Sequence, residues 1–279
     1  MKIFYISDII GDFLGGAEQN DSVLLSLLED RGHEIVRVKS DHDGLLDLLS
    51  ENEDAKIIVS NFVFMFARAR QYIEENFDYI IYEHDHKYLQ TRDPSQYEDY
   101  KAPADEIRYT SFYQNARAVF CQSNLHADIL TKNVPDVNVV TVGGNLWDSE
   151  TLDLIQELSS VEKNPEYCIM YSAIGHKNTS GCIKYCNKME IPYVVVGPLP
   201  HKDFLREMAK YETFFFMPQT VETLSRIVVE ARMMNCKVIT NKNVGAASMD
   251  WFLQSGQGLI DTMRGKLTEI PDLVEEHFQ

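Results

Sequence analysis

Short apolar runs alternate with helix-length segments along almost the whole chain. Near-continuous apolar strands that alternate with helices are typical of parallel sheets covered by helices on both faces. We therefore predict an α/β protein. The predicted strands are Lys2–Ser7, Glu34–Val38, Lys56–Ser60, Tyr79–Tyr82, Ala118–Gln122, Val137–Val142, Cys168–Ala173, Tyr193–Val196, Thr213–Met217 and Lys237–Thr240. The predicted helices are Ala17–Arg31, Phe66–Asn76, Asn124–Lys132, Thr179–Lys188, Lys202–Tyr211 and Thr223–Asn235.

The 279 residues are enough for two domains. The pattern of strands and helices is interrupted at "SSVEKNPE", Ser159–Glu166, which is polar and contains a proline. We expect an N-terminal domain over 1–160 and a C-terminal domain over 161–279. Ligands of doubly wound domains bind where the carboxyl ends of strands hand over to helices, so the search for a site concentrates on those segments.

The negative charge of the chain is concentrated in its front half. The net charge is −17; residues 1–160 hold 13 Lys and Arg against 29 Asp and Glu, while residues 161–279 hold 13 against 14. An acidic surface repels nucleic acid and anionic lipid headgroups, so we expect no nucleic-acid partner, and a phosphate-bearing ligand should prefer the back half. Solubility alone also explains general acidity.

The cysteines and the N-terminus indicate a cytoplasmic protein. The five cysteines are odd in number, and no pair of them stands at metal-binding spacing with a second pair or a histidine, which favours reduced, buried thiols. Asp8 and Asp12 interrupt the apolar start, which favours a strand over a signal peptide. No apolar run reaches the ~18–20 residues of a membrane span.

The first candidate site is "SDIIGDFLGGAEQN", Ser7–Asn20. Gly15 and Gly16 allow a close backbone approach to a ligand, and the helix that begins at Ala17 offers N-terminal amides to an anion. The segment is not a GxGxxG dinucleotide fingerprint. An ordinary tight turn between strand and helix explains it equally well.

The second candidate site is "DYIIYEHDHKYLQTRDP", Asp78–Pro94. A buried strand ends here and delivers Glu83, His84, Asp85 and His86 together, and Arg92 follows on the loop. Imidazole and carboxylate groups in this position can orient sugar hydroxyls or move protons near neutral pH. The two histidines also resemble a metal pair, but no third ligand stands out, so we expect no metal. A solvated polar loop is the remaining alternative.

The third candidate site is "CIMYSAIGHKNTSGC", Cys168–Cys182. A strand ends in a loop with Gly175, and Lys177 stands just before a helix. A lysine beside helix amides suits a diphosphate, although the segment is not a Walker A loop and an exposed lysine is the simpler alternative.

The fourth candidate site is "MPQTVETLSRIVVEARMMNCKVIT", Met217–Thr240. Its predicted helix is apolar nearly all round, yet carries Glu230, and Glu222 stands at or beside its N-cap. The amides of Thr223, Leu224 and Ser225 would then face a phosphate. On a continuous helix the two glutamates would lie on one side about 12 Å apart. That spacing is too wide for an acid–base pair and suits two hydroxyl-bearing parts of one ligand.

The last segment resembles the E-x7-E motif of retaining glycosyltransferases of family 4. Other pieces occur in the order typical of that family: "GGAE" after the first strand, "EHDH" after the fourth, "CQSNLHADIL" near the end of the first domain and "VVVGP" in the second. The resemblance implies the GT-B fold, in which two doubly wound Rossmann-like domains face a central cleft.

The resemblance also implies an activity. It implies transfer of a sugar from a nucleotide-sugar donor to an acceptor, with retained anomeric configuration, without a metal and with no cofactor besides the donor. The acceptor can be a glycan, a small molecule or a protein. The donor base, the sugar, the acceptor and the oligomeric state are not determined by the sequence.

Site roles follow from the same resemblance. It implies that Glu222 contacts hydroxyls of the donor sugar, that Glu230 binds the ribose hydroxyls and that Lys177 meets the diphosphate. His84, or His86 as second choice, would contact the donor sugar near the reacting carbon.

The remaining implied roles concern the backbone. The amides of Thr223, Leu224 and Ser225 would hold the diphosphate, and Gly15 and Gly16 would approach the diphosphate or the acceptor.

One position departs from the family pattern. An arginine usually stands about five residues before the diphosphate lysine, and this chain has Ser172 there. Arg92, Arg226 or His176 would have to replace the missing cation, since such cations offset the charge that builds on the departing phosphate.

Two other functions stay open. A nucleotide-sugar epimerase or hydrolase would use Glu83 and Asp85 as acid–base carboxylates. A non-catalytic nucleotide-sugar binder would explain the missing arginine.

Overall fold

The computed structural model describes residues 1–11 and 15–279, which form two compact units. Unit 1 comprises Met1–Leu146 and Lys266–Gln279, and unit 2 comprises Trp147–Gly265. The strands are β1 (Lys2–Ser7), β2 (Glu34–Lys39), β3 (Lys56–Val59), β4 (Tyr79–Tyr82), β5 (Ala118–Cys121), β6 (Val139–Thr141), β7 (Asn164–Met170), β8 (Tyr193–Val196), β9 (Tyr211–Phe215) and β10 (Lys237–Ile239). The helices are α1 (Gly16–Asp30), α2 (Leu45–Ser50), α3 (Ala67–Asn76), α4 (Thr110–Gln114), α5 (Asn124–Asn133), α6 (Ser149–Leu158), α7 (Thr179–Lys188), α8 (His201–Met208), α9 (Arg226–Met233) and α10 (Gly256–Phe278).

Unit 1 contains a six-stranded parallel sheet in the order β2-β1-β3-β4-β5-β6. Every residue of β4 and β5 is buried, because helices cover both faces of these inner strands. The end of α10 adds Ile270, Val274 and Phe278 to the core that the sheet forms with α1. The C-terminal residues are thus part of unit 1.

Unit 2 contains a four-stranded parallel sheet in the order β10-β9-β7-β8. One cluster of its core joins Ile169 of β7 and Phe215 of β9 to Cys182 and Cys186 of α7. The cysteines four residues apart face the same side of the helix and serve packing. All five cysteines are buried and free.

Each sheet contains a switch point, where strands that follow one another in the chain are added on opposite sides of a central strand. In unit 1 the chain leaves β1 for β2 on one side and returns to β3 on the other; in unit 2 β7 is flanked in the same way by β8 and β9. Loops that leave neighbouring strands in opposite directions open a crevice at the carboxyl edge. The two crevices lie at β1/β3 and at β7/β9.

The predicted α/β class is confirmed, with parallel sheets in two units. All ten predicted strands are present, with ends that differ by up to four residues. The boundary differs from the expected one at 160/161. Helix α6 packs on α8 and α9, so residues 147–160 belong to unit 2, and the polar "SSVEKNPE" segment leads into β7 within that unit.

Some elements were not predicted. Helices α2, α4 and α6 were not among the predicted helices, and residues 257–279, expected to be helical in places, form most of the long α10, which contains Pro271 in its interior. Among the described residues, no helix has the length and apolar content needed to cross a membrane.

Candidate functional site

Lys177 and Glu222 meet at the β7/β9 crevice of unit 2. Lys177 ends a 3₁₀ turn that follows β7, and Glu222 follows β9. The Lys177 Nζ atom lies 2.7 Å and 2.8 Å from the two carboxylate oxygens of Glu222. Neither side chain is fully buried, so a ligand in the crevice can reach both charges. The fold therefore brings together two predicted site residues that lie 45 positions apart.

The predicted start of the helix after Glu222 is wrong. The N-cap of α9 is Ser225, so Glu222 lies outside the helix and the expected 12 Å helical spacing to Glu230 does not apply. The Glu222 amide instead donates to the Asn243 carbonyl at 2.7 Å, and the Glu222 carbonyl accepts from the Gly245 amide at 2.8 Å. This pairing with a second loop satisfies both backbone groups of Glu222 outside any helix.

Strain and an unmatched hydroxyl mark the first turn of α9. Ser225 has a φ of 71°, a left-handed conformation that costs energy for any residue with a side chain. Its hydroxyl is buried, with the residue 9% exposed, and has no hydrogen-bond partner among the described residues. Buried polar atoms without partners are rare in native proteins. This helix end is therefore suited to bind a hydrogen-bonding ligand.

Arg226 places a cation at the same helix end. Its guanidinium lies 4.4 Å from the centre of the Trp147 ring. The positive end of the helix dipole disfavours a cation, and the contact with the ring offsets part of that cost. An arginine held there adds positive charge beside the helix amides, which favours an anion.

Glu230 lies one turn further along α9 and is only 1% exposed. Its Oε1 atom accepts hydrogen bonds from Trp147 Nε1 at 2.8 Å and from His201 Nε2 at 2.9 Å. Its Oε2 atom has no hydrogen-bond partner in the described part of the chain. The charged carboxylate thus keeps one oxygen as an acceptor for a ligand.

The surroundings of Glu230 keep it ionised. Burial raises the pKa of its carboxyl, but the charge and hydrogen bond of His201, the charge of Arg226 and the hydrogen bond from Trp147 outweigh burial, so the pKa lies below its ordinary value. The Glu230 charge in turn raises the pKa of His201. The sequence pointed to Glu230, but Trp147 and His201 were missed because both are distant in sequence.

His84 of unit 1 has both ring nitrogens occupied. Its Nε2 atom lies 2.7 Å from Asp21 Oδ1, and its Nδ1 atom lies 2.6 Å from Gln122 Nε2. The ring stacks on Tyr82, with centroids 4.9 Å apart. Residues from α1, from the end of β4 and from the end of β5 therefore hold one buried imidazole in a single orientation.

Asp21 is the centre of this network and was missed in the sequence. Besides His84, its carboxylate accepts from Tyr5 and Ser60 hydroxyls at 2.6 Å each and from Asn20 Nδ2 at 3.2 Å. Burial raises the pKa of the Asp21 carboxyl, but its pairing with His84 and the hydrogen bonds from Ser60 and Tyr5 outweigh burial, so the pKa lies below its ordinary value. A sequence signal was present, since Asp21 lies on the stripe that continues through Leu24, Leu25 and Leu28.

Glu83 and Asp85 are paired with cations. Lys87 is buried with its Nζ atom 2.5 Å from Glu83 Oε1 and 3.2 Å from Asp85 Oδ1. The Tyr113 hydroxyl donates to Glu83 Oε2, and Arg92 pairs with Asp85. Glu83 is fully buried and bonded on both oxygens, which disfavours its use as an acid–base group. Arg92 is likewise committed to Asp85.

His86 does not join His84 in a ligand pair. Strand β4 ends at Tyr82, and His86 places its Nδ1 atom 2.8 Å from the Tyr88 hydroxyl. Burial lowers the pKa of His86 to about 3, so its ring is neutral. No group of three or more His, Cys, Asp or Glu side chains that could hold a metal occurs among residues 1–11 and 15–279.

The glycine motif is described only in part. Gly15 is the N-cap of α1 with φ −73° and ψ 160°, and Gly16 is the first helical residue. Asp12, Phe13 and Leu14 of the same motif lie outside the described residues.

Ser172, at the position of the expected arginine, has a local structural role. Its amide donates to Thr179 Oγ1 at 3.0 Å, and its hydroxyl accepts from the Ile174 amide at 3.2 Å. Of the three replacement cations, His176 is exposed, and only Arg226 lies at the start of α9.

Solved structures resemble the chain over its full length. Sucrose-phosphate synthase from Thermosynechococcus elongatus matches with a TM-score of 0.64 and 12% identity over 99% of both chains. HepE from Anabaena, solved in complex with UDP and glucose, matches with a TM-score of 0.55 and 13% identity over 100% of this chain and 92% of its own. An α,α-trehalose-phosphate synthase from Burkholderia vietnamiensis matches with a TM-score of 0.58 and 8% identity over 99% of both chains.

These structures are GT-B glycosyltransferases. The fold is GT-B. At such low identity the likeness establishes the GT-B fold alone. No protein-family model matches the chain, and no curated protein matches it in sequence.

Proposed function

We propose that the chain is a glycosyltransferase that takes a sugar from a nucleotide-sugar donor, and that unit 2 binds the donor. The observation that carries the proposal is the Glu230 carboxylate, buried and ionised, with Oε1 held by two donors and Oε2 without a hydrogen-bond partner among the described residues. An open carboxylate oxygen is an acceptor for a hydroxyl, and the predicted partner is the donor ribose. Structural neighbours support the choice of ligand, since HepE was also solved in complex with UDP-glucose.

The diphosphate is proposed to bind at the start of α9. The amides of Thr223, Leu224 and Ser225 and the unmatched Ser225 hydroxyl would donate to its oxygens. Lys177 and Arg226 would supply the positive charge, so that Arg226 takes over the role missing at Ser172. These groups need no metal ion to offset the phosphate charge.

Glu222 is proposed to contact the donor sugar. In the structure its charge is balanced by Lys177. When a diphosphate draws the lysine toward its own oxygens, the carboxylate becomes available to accept hydrogen bonds from sugar hydroxyls.

The mechanism and setting are proposed by resemblance. The E-x7-E pattern supports transfer with retained anomeric configuration, as in the family 4 enzymes, in a cytoplasmic protein. His84 remains the predicted contact to the donor sugar, and Gly15 and Gly16 remain predicted contacts to the diphosphate or the acceptor.

Thermal-shift measurements with UDP, ADP and GDP test the donor site first. Glu230→Ala should abolish the stabilisation that the bound nucleotide produces, whereas Glu157→Ala, on the exposed side of α6, should keep it. Equal nucleotide binding by Glu230→Ala and the parent would contradict the ribose assignment.

Incubation with a panel of nucleotide sugars then tests the activity. Nucleotide release that requires an acceptor supports transfer, and isomerised sugar would support an epimerase instead. Binding without turnover would support a non-catalytic binder, the alternative that Ser172 favours.

A further inference from the structure

Three side chains from different elements meet at Glu230. Trp147 directly precedes the N-cap of α6, His201 begins α8 and Glu230 lies within α9. The three helices pack against one another, which brings residues 83 and 29 positions away to the carboxylate. We call Trp147, His201 and Glu230 the carboxylate clamp.

The clamp is asymmetric. Both donors bond to Oε1, and Oε2 receives none from the described residues. Turning the carboxylate to offer Oε1 would break two hydrogen bonds to a charged group, each of which is stronger than a bond between neutral groups. A ligand hydroxyl must therefore meet Oε2, in the one direction that the clamp permits.

The members differ in their access to solvent. Trp147 and Glu230 are each 1% exposed, whereas the His201 side chain is 32% exposed. The charged groups that act on His201 are Glu230 and Arg226 from α9 and Asp148 at the start of α6. Neighbouring Lys202 is engaged by Glu150 of α6 at 2.5 Å.

We propose that Trp147 and His201 are positioning residues: by holding Oε1 they present Glu230 Oε2 to a ribose and set the preference of the site for ribonucleotides over nucleotides without ribose hydroxyls. The proposal rests on the donor site proposed above. Trp147 and His201 lie outside the E-x7-E motif. They would influence which nucleotide binds by orienting Glu230 and not by contacting the ligand.

A comparison of ribose and dideoxyribose ligands tests the proposal. Calorimetry measures the Kd values of UDP and ADP and of their 2′,3′-dideoxy analogues. The readout is the affinity ratio, the affinity of each ribonucleotide divided by that of its dideoxy analogue. We expect the parent to bind the ribonucleotide about 10- to 100-fold more tightly, the size of a hydrogen bond to a charged group. Glu230→Gln should reduce this ratio toward one.

The clamp variants should lower the ratio while the control leaves it unchanged. His201→Ala and Trp147→Phe should each lower it by about 3- to 10-fold, because each removes one hydrogen bond to Oε1. His201→Gln should restore most of the ratio, since its amide can donate in place of the imidazole. Lys202→Ala, on the same helix and partly exposed, should retain the parent ratio.

The outcomes separate this inference from the proposed function. If His201→Ala and Trp147→Phe keep the parent's affinity ratio of ribonucleotide to dideoxynucleotide, the positioning role is refuted while the ribose site stands. A parent that binds both forms of nucleotide equally refutes the ribose contact of Glu230 and the clamp with it, while a parent that binds neither form refutes the proposed donor site. Trp147→Phe keeps an aromatic ring under Arg226, so the test does not depend on the folding of His201→Ala.

Discussion

Replacing Asp21 by asparagine should destabilise unit 1 strongly. The carboxylate accepts four hydrogen bonds, from Tyr5, Ser60, Asn20 and His84, inside a buried network. Asparagine has nearly the same shape, but one of its two polar atoms is an NH₂ group that cannot accept from these donors. It also removes the charge opposite His84. Breaking a buried charged network on one side costs about 3–5 kcal/mol of unfolding free energy.

Hydrogen exchange followed by mass spectrometry measures this loss separately in each unit. Both tryptophans, Trp147 and Trp251, belong to unit 2, so their fluorescence does not report on the mutated network. At 1.4 kcal/mol per tenfold change, a loss of 3–5 kcal/mol makes the slowest amides of β1, β3 and β4 exchange roughly 100- to 4,000-fold faster. Peptides from unit 2 should be unchanged.

The matched control is Asp30→Asn at the exposed end of the same helix. Surface substitutions of this kind stay within about 0.5 kcal/mol. If the Asp21→Asn peptides of unit 1 exchange within about threefold of the parent, Asp21 does not hold the network together and the reasoning from its four hydrogen bonds is wrong.

Four further predictions concern individual side chains. Glu230→Ala should lose ligand-induced stabilisation, which in the parent is about 2.7 kcal/mol at a nucleotide concentration of 100 Kd; a retained thermal shift would contradict it. Lys177→Met should lower kcat for sugar transfer by roughly 10²-fold, measured as nucleotide release, because a cation that offsets phosphate charge is lost; an unchanged kcat would rule out that role. The His201 pKa is raised in the folded state, so its pairing with Glu230 stabilises fully below about pH 6.5 and the contribution fades as pH rises through the folded pKa. Urea unfolding followed by tryptophan fluorescence should show this decline, of less than about 1 kcal/mol because the ring is partly exposed, and His201→Gln should remove it. His86, with a pKa of about 3, should show no imidazole titration by NMR between pH 8 and 5, and a midpoint near 6.5 would refute its burial as a neutral ring.

The strands could be read from the sequence because their burial leaves little choice of structure. The segment Tyr79–Tyr82, for example, is short, continuously apolar and bounded by Asp78 and Glu83, and its observed limits equal the predicted ones. Helix ends were less predictable. Local preferences allow α9 to start at Thr223, but Glu222 and Leu224 pair through their backbones with residues 243–246, and the helix starts at Arg226.

Site residues could be predicted from the sequence only where a charged side chain lies within or directly after an apolar segment. Glu230 stood out as a carboxylate on an apolar helix, and Lys177 and Glu222 as charges after apolar strands. Asp21 gave the same kind of signal within a leucine-rich stripe and was overlooked. Trp147 and His201 gave none, since an isolated tryptophan and an isolated histidine have no pattern that points to a partner.

The sequence by itself determined the α/β class, the positions of the strands and the charged residues at their carboxyl ends, because hydrophobic periodicity and chain direction are local properties. Tertiary structure decided which of these charges meet. The ion pair of Lys177 with Glu222, the closure of Glu230 Oε1 by Trp147 and His201, and the burial of His84 against Asp21 all join residues far apart in the chain. Such contacts depend on strand order and helix packing, which bring distant residues within hydrogen-bonding distance and exclude water from around them.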